Sequence, residues 1–482
     1  MRSAIALEQA PVDPQLPEGF AVVLDRKVRR IDERVLIGGW PIRMLRLGPS
    51  AQAMFRGDEL VVEGPRSSVV ARRLLDAGMA NPRPRGTSCR TQDVTIVVPV
   101  RNRAEMLQRL LQSLAGGPRV VVVDDGSDNG PEIEAIASEH GASYLHHPVS
   151  RGPGAARNTG VGSIETPLVA FVDSDCVVEP CWLEPLLAHF DDPAVALVAP
   201  RVVALRYPAT RHDWLTAYEK ARSSLDLGPD EGLVAPKGML SWVPTAAVVV
   251  RCSALGDGFA EELRVGEDVD LVWRLQKAGW RIRYDPTSHV LHDHRTRCRT
   301  WALRKARYGS SAAVLAQRHG RQVAPVVLAP WAAASWLLLL SQRRRASAGA
   351  ALIAVGASFV LAHRLPPFPA RGRAAAALAG RGFSSSGLQV ASALVRAWWP
   401  LAALSCLVSR RARRAVLVAG LVDGLVDWAR HRPPLDPLSY MIIRRADDIA
   451  YGAGLWKGAL ENRSLQALLP DVSFRPHAGS RR

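Results

Sequence analysis

Apolar positions fall into two regimes along the chain. Between residues 93 and 200 they come as short solid runs alternating with helical spacing. Val94–Val98 is wholly β-branched, which predicts a buried strand. Leu107, Leu110, Leu111 and Leu114 follow at i, i+3, i+4 and i+7, one face of a helix. Val120–Val123 reads as a second strand, Pro131 opens a helix that stops at Gly141, and Ser143–Leu145 is a third strand. A helix over Ala155–Gly162 and strands at Leu168–Val172 and Val195–Ala199 complete the alternation. Continuously apolar strands separated by helices predict a mostly parallel, doubly wound α/β sheet. Residues 201–300 are less regular, with Trp214, Trp242, Trp273 and Trp280 set among charges. Only Asp268–Ala278, ended by Gly279, reads there as a helix.

Past residue 323 the runs lengthen. Val323–Leu340 and Ala346–Ala362 carry no charge, and Arg343-Arg344-Arg345 stands between them. Ser386–Val408 is apolar except for Arg396, and Ala415–Trp428 carries Asp423 and Asp427. A membrane-spanning helix needs about 20 apolar residues. The first two runs, bounded sharply by arginines, are expected to enter a membrane, and the other two to lie in it or at its surface. Ahead of the sheet, residues 16–80 read as a small α+β module. It has strands at Phe20–Leu24 and Arg34–Ile37, and a helix capped by Ser67 that carries Val70, Leu74 and Ala77 to Gly78. Asn81–Thr91 is a linker by composition. Three domains follow: 1–85, 92–310 and 320–482.

Charge narrows the partners. Lys and Arg number 62 against 45 Asp and Glu, giving a formal charge of +17. Nucleic acid, anionic lipid and phosphate-bearing small molecules all suit such a chain. Basic residues beside the apolar runs fit positive-inside topology better than nucleic-acid binding. The expectation is a cell-membrane protein touching anionic lipid, with its catalytic domain cytoplasmic and no nucleic-acid partner. The six cysteines form no C-x-x-C pair, and Met1–Leu16 lacks the apolar stretch of a signal peptide.

Candidate chemistry gathers at strand ends. Asp124-Asp125-Gly126-Ser127-Asp128 follows one strand and Asp173-Ser174-Asp175 another. Ligands meet such sheets at the carboxyl ends of the strands. One acidic turn is ordinary turn chemistry, but two on one sheet edge can hold a hard cation, Mg²⁺ or Mn²⁺, against a nucleotide's phosphates. Between them, Arg151-Gly152-Pro153-Gly154-Ala155-Ala156-Arg157 brings small residues and a cation to a helix entry. Gly266-Glu267-Asp268-Val269-Asp270 places carboxylates in a first helical turn, where one can serve as general base. His289, His292 and His294 follow, and His294 is a candidate to complete a metal shell. Neither a Walker A pattern nor a strand-linked G-x-G-x-x-G occurs.

The runs VTIVVPVRNR, VVVVDDGSDN, RGPGAARNTG, VAFVDSDC and GEDVDLVWRLQKAGW, in that order over residues 94–280, resemble the family 2 glycosyltransferases with a GT-A fold. The resemblance implies inverting transfer of a sugar from a UDP-sugar with a divalent metal. It places Pro99 and Asn102 on the first nucleotide-binding loop, with Asp124 and Asp125 on the base and Arg157 near the donor. Asp173 and Asp175 form the D-x-D pair, Asp175 leading on the metal, and Asp268 of the Glu267–Asp268 pair is the catalytic base. The absence of a Q-x-x-R-W motif argues against a processive synthase of long chains. Residues 16–80 are similar to PqqD-like peptide-recognition domains. The whole layout resembles the mycofactocin-system glycosyltransferases. It implies a hexose, glucose, moved to a peptide-derived redox cofactor in a short β-linked glycan. The alternatives are a transferase to polyprenyl phosphate, suggested by the basic, Trp-containing stretch 295–307, and a non-catalytic, membrane-tethered peptide-binding protein.

Overall fold

The computed structural model describes residues 9–11, 14–84, 86–205, 214–293, 297–365 and 371–473. The chain divides into two compact units, residues 1–208 with 223–294, and residues 209–222 with 295–482.

The first unit holds two cores. The smaller lies in the N-terminal module, where Phe20, Val22, Leu36, Leu60, Leu74 and Met79 are buried together. Its four-stranded antiparallel sheet runs Phe55–Arg56, Glu59–Val61, Ala21–Leu24, Ala80–Pro82. A second sheet joins Arg29–Asp32, Val35–Gly38 and Arg43–Arg46. The module's helix starts three residues earlier than expected, at Pro65, with Gly64 as cap. Ser67 lies in its first turn, and its hydroxyl accepts from the Glu63 and Gly64 N–H groups at 2.9 and 3.1 Å. The expected linker also begins too early, because Asn81 and Pro82 are a buried strand.

The module is pinned to the larger core by buried charge. Both Nη atoms of Arg72 donate to Asp192 at 2.6 Å, with side chains 10% and 5% exposed. Arg281 likewise grips Asp76 at 2.6 and 2.8 Å. Such two-pronged pairing fixes angle as well as distance.

The larger core surrounds a nine-stranded sheet: β1 (Val94–Val100), β2 (Arg119–Asp124), β3 (Ser143–His146), β4 (Leu168–Val172), β5 (Cys176–Val178), β6 (Val195–Ala204), β7 (Gly232–Val234), β8 (Ala247–Arg251) and β9 (Arg281–His292). The order is β3-β2-β1-β4-β8-β6-β9-β5, with β7 on β9. The stretch β3-β2-β1-β4 is parallel, as expected. The other half is mixed: β8 runs antiparallel to β4 and β6, while β6 and β9 are parallel. Every residue of β1 and β4 is buried, which is why their sequences are unbroken apolar runs. Helices 104–113, 130–139 and 153–161 connect the parallel strands. Gly160 lies where the last of these meets β1; a Cβ there would come within 2.3 Å of Val97 Cγ1.

The second unit is helical: Trp214–Arg222, Cys298–His319, Pro330–Leu340, Arg344–Arg364, Arg371–Val395, Trp399–Val408, Arg410–His431 and Pro437–Glu461. One expected span is corrected. Val323–Leu340 is not one helix, since a short strand at Val327–Leu328 precedes an 11-residue helix opening at Pro330. Proline cannot donate the interior hydrogen bonds a longer helix needs. Arg344–Arg364 is long and apolar enough to cross a membrane. The Ser386–Val408 run bends by 82° between the helices 371–395 and 399–408. Acidic residues in this unit are buried against arginines: Asp423 with Arg444 and Arg445, Asp427 with Arg222 and Arg444, and Asp448 with Arg396 and Arg445.

Candidate active site

The parallel strands deliver the acidic turns to one edge. Val100 is in register with Asp124, and Phe171 with Val97, so β1, β2 and β4 finish on the same side of the sheet. The reversal of strand order between β1 and β4 opens the crevice in which such sheets bind ligands.

The turn after β2 is held by its own hydrogen bonds. Asp124 is fully buried and accepts from Ser127 N at 2.9 Å, Ser127 Oγ at 2.5 Å and Tyr144 Oη at 3.0 Å. Asp125 accepts from Ser150 Oγ at 2.7 Å and from the N–H groups of Arg151 and Gly152 at 2.8 Å each. His147 Nδ1 lies 2.8 Å from its Oδ1. Burial alone would raise the Asp125 pKa, but these partners outweigh it and hold the carboxyl ionised below its usual range. Both acids therefore shape the edge, and their oxygens are turned to the chain itself. Gly126 follows at φ +70, with Ser150 N 2.7 Å from where a Cβ would stand, so only glycine allows the two loops to close. Asn102, also at positive φ, clasps this turn: its Nδ2 donates to Asp128 Oδ2 at 2.9 Å, and Asp128 N donates to its Oδ1 at 2.8 Å. Pro99 sits one residue before the end of β1, opposite Val123.

Arg157 ties the second turn to the carboxylate helix. It projects from helix 153–161, is 3% exposed, and donates from Nη2 to Asp173 Oδ1 at 2.7 Å and from Nη1 to Glu267 Oε1 at 3.0 Å. Its guanidinium also lies 5.2 Å from the Phe259 ring centroid. Burial opposes its charge, yet Asp173 and Glu267 more than compensate and raise its pKa. Asp175 pairs with Arg103, and its Oδ1 lies 3.4 Å from His292 Nε2. Burial works against its ionisation, but His292 and Arg103 prevail and hold the carboxyl far below its usual range.

Asp268 differs. Half-buried in the first turn of helix 267–277, it makes no ion pair with any described residue and accepts only from Val269 N at 2.7 Å. Burial, and next the adjacent Glu267 charge, push its pKa up to about 7. A carboxyl poised there can take a proton near neutral pH, as a general base must.

The donor set suits a hard cation. Asp173 and Asp175 offer only oxygens, and Asp175 Oδ1 is buried without a hydrogen-bond partner. Among the described residues no cluster of three or more His, Cys, Asp or Glu could enclose a metal, so substrate or water oxygens would complete its shell. His294 lies outside the described residues. Arg103 and His147 were not among the expected site residues, and His292 stood there only beside His294 as a possible metal ligand. Arg103 stands three places beyond the end of β1, and a basic residue so close to that strand end was the available signal.

The family model "Glycosyl transferase family 2" matches residues 95–234, and "Glycosyl transferase family group 2" matches residues 168–369. The chain is 47% identical over 470 residues to the pre-mycofactocin glycosyltransferase of Mycobacterium tuberculosis (strain H37Rv), covering 95% of this chain and 99% of that one. The chain belongs to the pre-mycofactocin glycosyltransferase family. It is therefore a family 2 glycosyltransferase, and the sheet described above is its GT-A fold. The succinoglycan biosynthesis protein ExoU of Rhizobium meliloti is 29% identical over 208 residues, 41% of this chain and 60% of that one. A solved mannosyltransferase of Pyrobaculum calidifontis, in complex with GDP-Man and Mn²⁺, has a TM-score of 0.43 at 16% identity, covering 77% of this chain and 88% of that one.

Proposed function

We propose that the chain transfers glucose from UDP-glucose to a hydroxyl of pre-mycofactocin, a peptide-derived redox cofactor precursor, inverting the anomeric centre and building a short β-linked glycan. One observation carries the reading: Arg157 joins Asp173 of the D-x-D turn to Glu267, the immediate neighbour of an Asp268 whose pKa is raised to about 7. Donor-side and acceptor-side chemistry thus share one buried tie. Asp268 accepts the proton of the attacking hydroxyl. Attack from the face opposite the leaving group inverts the centre in one displacement. Arg157 and Arg103 place positive charge where the departing diphosphate gathers negative charge. A Mg²⁺ or Mn²⁺ held by Asp173 and Asp175 would add further neutralisation of the diphosphate when bound. Asp124, Asp125, Pro99 and Asn102 build the bed for the base.

The N-terminal module reads the acceptor peptide as a PqqD-like domain would, with Trp40 and Ile42 exposed on it. The helical unit meets the cell membrane and its anionic lipid, with the catalytic domain cytoplasmic. Of helix 344–364 only Ala350 is buried, while Leu352, Val355 and Phe359 are each about two-thirds exposed or more. Arg343–Arg345 and Arg410–Arg414 flank these surfaces.

The test is direct. Purified protein with UDP-glucose, Mn²⁺ and the acceptor should add hexose units, read by mass spectrometry. Absence of any hexose addition with either metal defeats the reading, and products formed only on polyprenyl phosphate replace the acceptor.

A further inference from the structure

The helical unit contains an open cavity of about 600 Å³ between helices 371–395, 410–431 and 437–461. Its composition contradicts its surroundings. Arg381, Ser384, Ser385, Leu388, Gln389 and Ser392 recur at i, i+3, i+4, i+7, i+8 and i+11, a largely polar stripe on one face of an Ala- and Leu-rich helix. Polar stripes on apolar helices are costly and persist where they serve a ligand or a pathway. Arg444, 3% exposed, lines the cavity, and its Nη1 is buried without a hydrogen-bond partner, 4.0 Å from Asp448 Oδ1.

The charge favours an anion. The two carboxylates on the wall are already engaged, Asp423 by Arg444 and Arg445, and Asp427 by Arg222 and Arg444. Arg381 and Arg430 line the cavity on exposed turns, and neither has an ion-pair partner among the described residues. The hydroxyls of Ser384, Ser385 and Ser392 likewise make no hydrogen bond to a described residue. Guanidinium forks and hydroxyl donors around a cavity match a tetrahedral oxyanion.

We propose that this cavity binds a phosphate group, from a phospholipid headgroup or a free phosphate, between Arg381 and Arg430, with the serine hydroxyls along one wall and Arg444 beneath. The site is separate from the transfer chemistry and does not depend on it. Basic pockets between helices at a membrane face are suited to such headgroups.

The full-length protein in detergent provides the test. Native mass spectrometry with phosphatidylglycerol, cardiolipin or phosphatidylcholine reads lipid retention, and thermal shift with inorganic phosphate or pyrophosphate reads the free anion. The double variant Arg381→Gln/Arg430→Gln changes exposed positions and should leave donor hydrolysis unchanged. It is expected to bind the preferred anion at least tenfold more weakly. Arg66→Gln/Arg119→Gln, which removes the same amount of exposed basic charge from the first unit, should bind as the parent does. Retention of anionic lipid alone assigns the headgroup, and stabilisation of lipid-free protein by phosphate assigns the free anion. Equal losses in both double variants, or no anion bound by the parent, would overturn the proposal.

Discussion

The two units treat buried carboxylates in opposite ways. In the helical unit four aspartates each meet at least two cations: Asp423, Asp427, Asp447 and Asp448 are threaded among Arg222, Lys305, Arg396, Arg444 and Arg445. At the sheet edge the supply is rationed. Asp173 and Glu267 share Arg157, Asp175 has Arg103, and Asp268 has no cation in direct contact. An acid in contact with several cations serves to hold structure. Asp268, left without a contacting cation, has its pKa pushed up to about 7, the poise that its proposed role as base calls for. Composition alone does not separate the two cases, because both regions offer aspartate beside arginine.

The contrast is sharpest under substitution of one carboxylate in each region. Asp268→Asn should lower kcat by about 10²- to 10⁴-fold, the usual worth of a general base, with no loss of thermal midpoint. Asp448→Asn should do the reverse. It takes the buried carboxylate away from half-buried Arg396 and Arg445, costing about 1–3 kcal/mol of stability, read by chemical denaturation, while the turnover of folded protein persists. If Asp268→Asn instead lost stability and kept its turnover, the division between the regions would fall.

A smaller effect probes why Asp268 is poised. Its raised pKa comes first from burial and then from Glu267. In the proposed role of Asp268 as base the ionised form is the active one, so the rate should climb with pH through about 7. Glu267→Gln removes a neighbouring negative charge, making ionisation easier, and should move the acidic limb of the kcat profile to lower pH. The same group leaves a mark on stability. A carboxyl whose folded pKa exceeds the ordinary 3.8 favours the fold below that value, and the contribution is lost as pH rises through about 7. The Glu267→Gln variant should show a shallower loss over that window in pH-dependent denaturation. An unmoved acidic limb would mean that burial alone sets the poise.

The parallel half of the sheet was legible because β1, β2 and β4 are buried on both faces and advertise it as solid apolar runs. Residues 201–292 were not, since β9 mixes buried Arg283 and Asp285 with Ile282 and Tyr284, and only its neighbours β6 and β7 make that pattern sensible. The aspartate pairs were visible as turns after strands, whereas Arg103 and His292 acquire meaning only when folding brings them to Asp175. The overlong first apolar run was an avoidable misreading, because Pro325 and Pro330 already interrupt it in the sequence. The expected run Ala346–Ala362 emerged within a helix that extends two residues further at each end, Arg344–Arg364.

Gly160 carries no functional group, yet it governs one. The closeness it permits between helix 153–161 and β1 sets how deep that helix sits, and Arg157 rides on the same turn. A single methyl added at position 160 would lift the helix and draw the guanidinium off Asp173 and Glu267 together. Transfer chemistry in this enzyme is therefore vulnerable to a change that alters no charge and removes no donor.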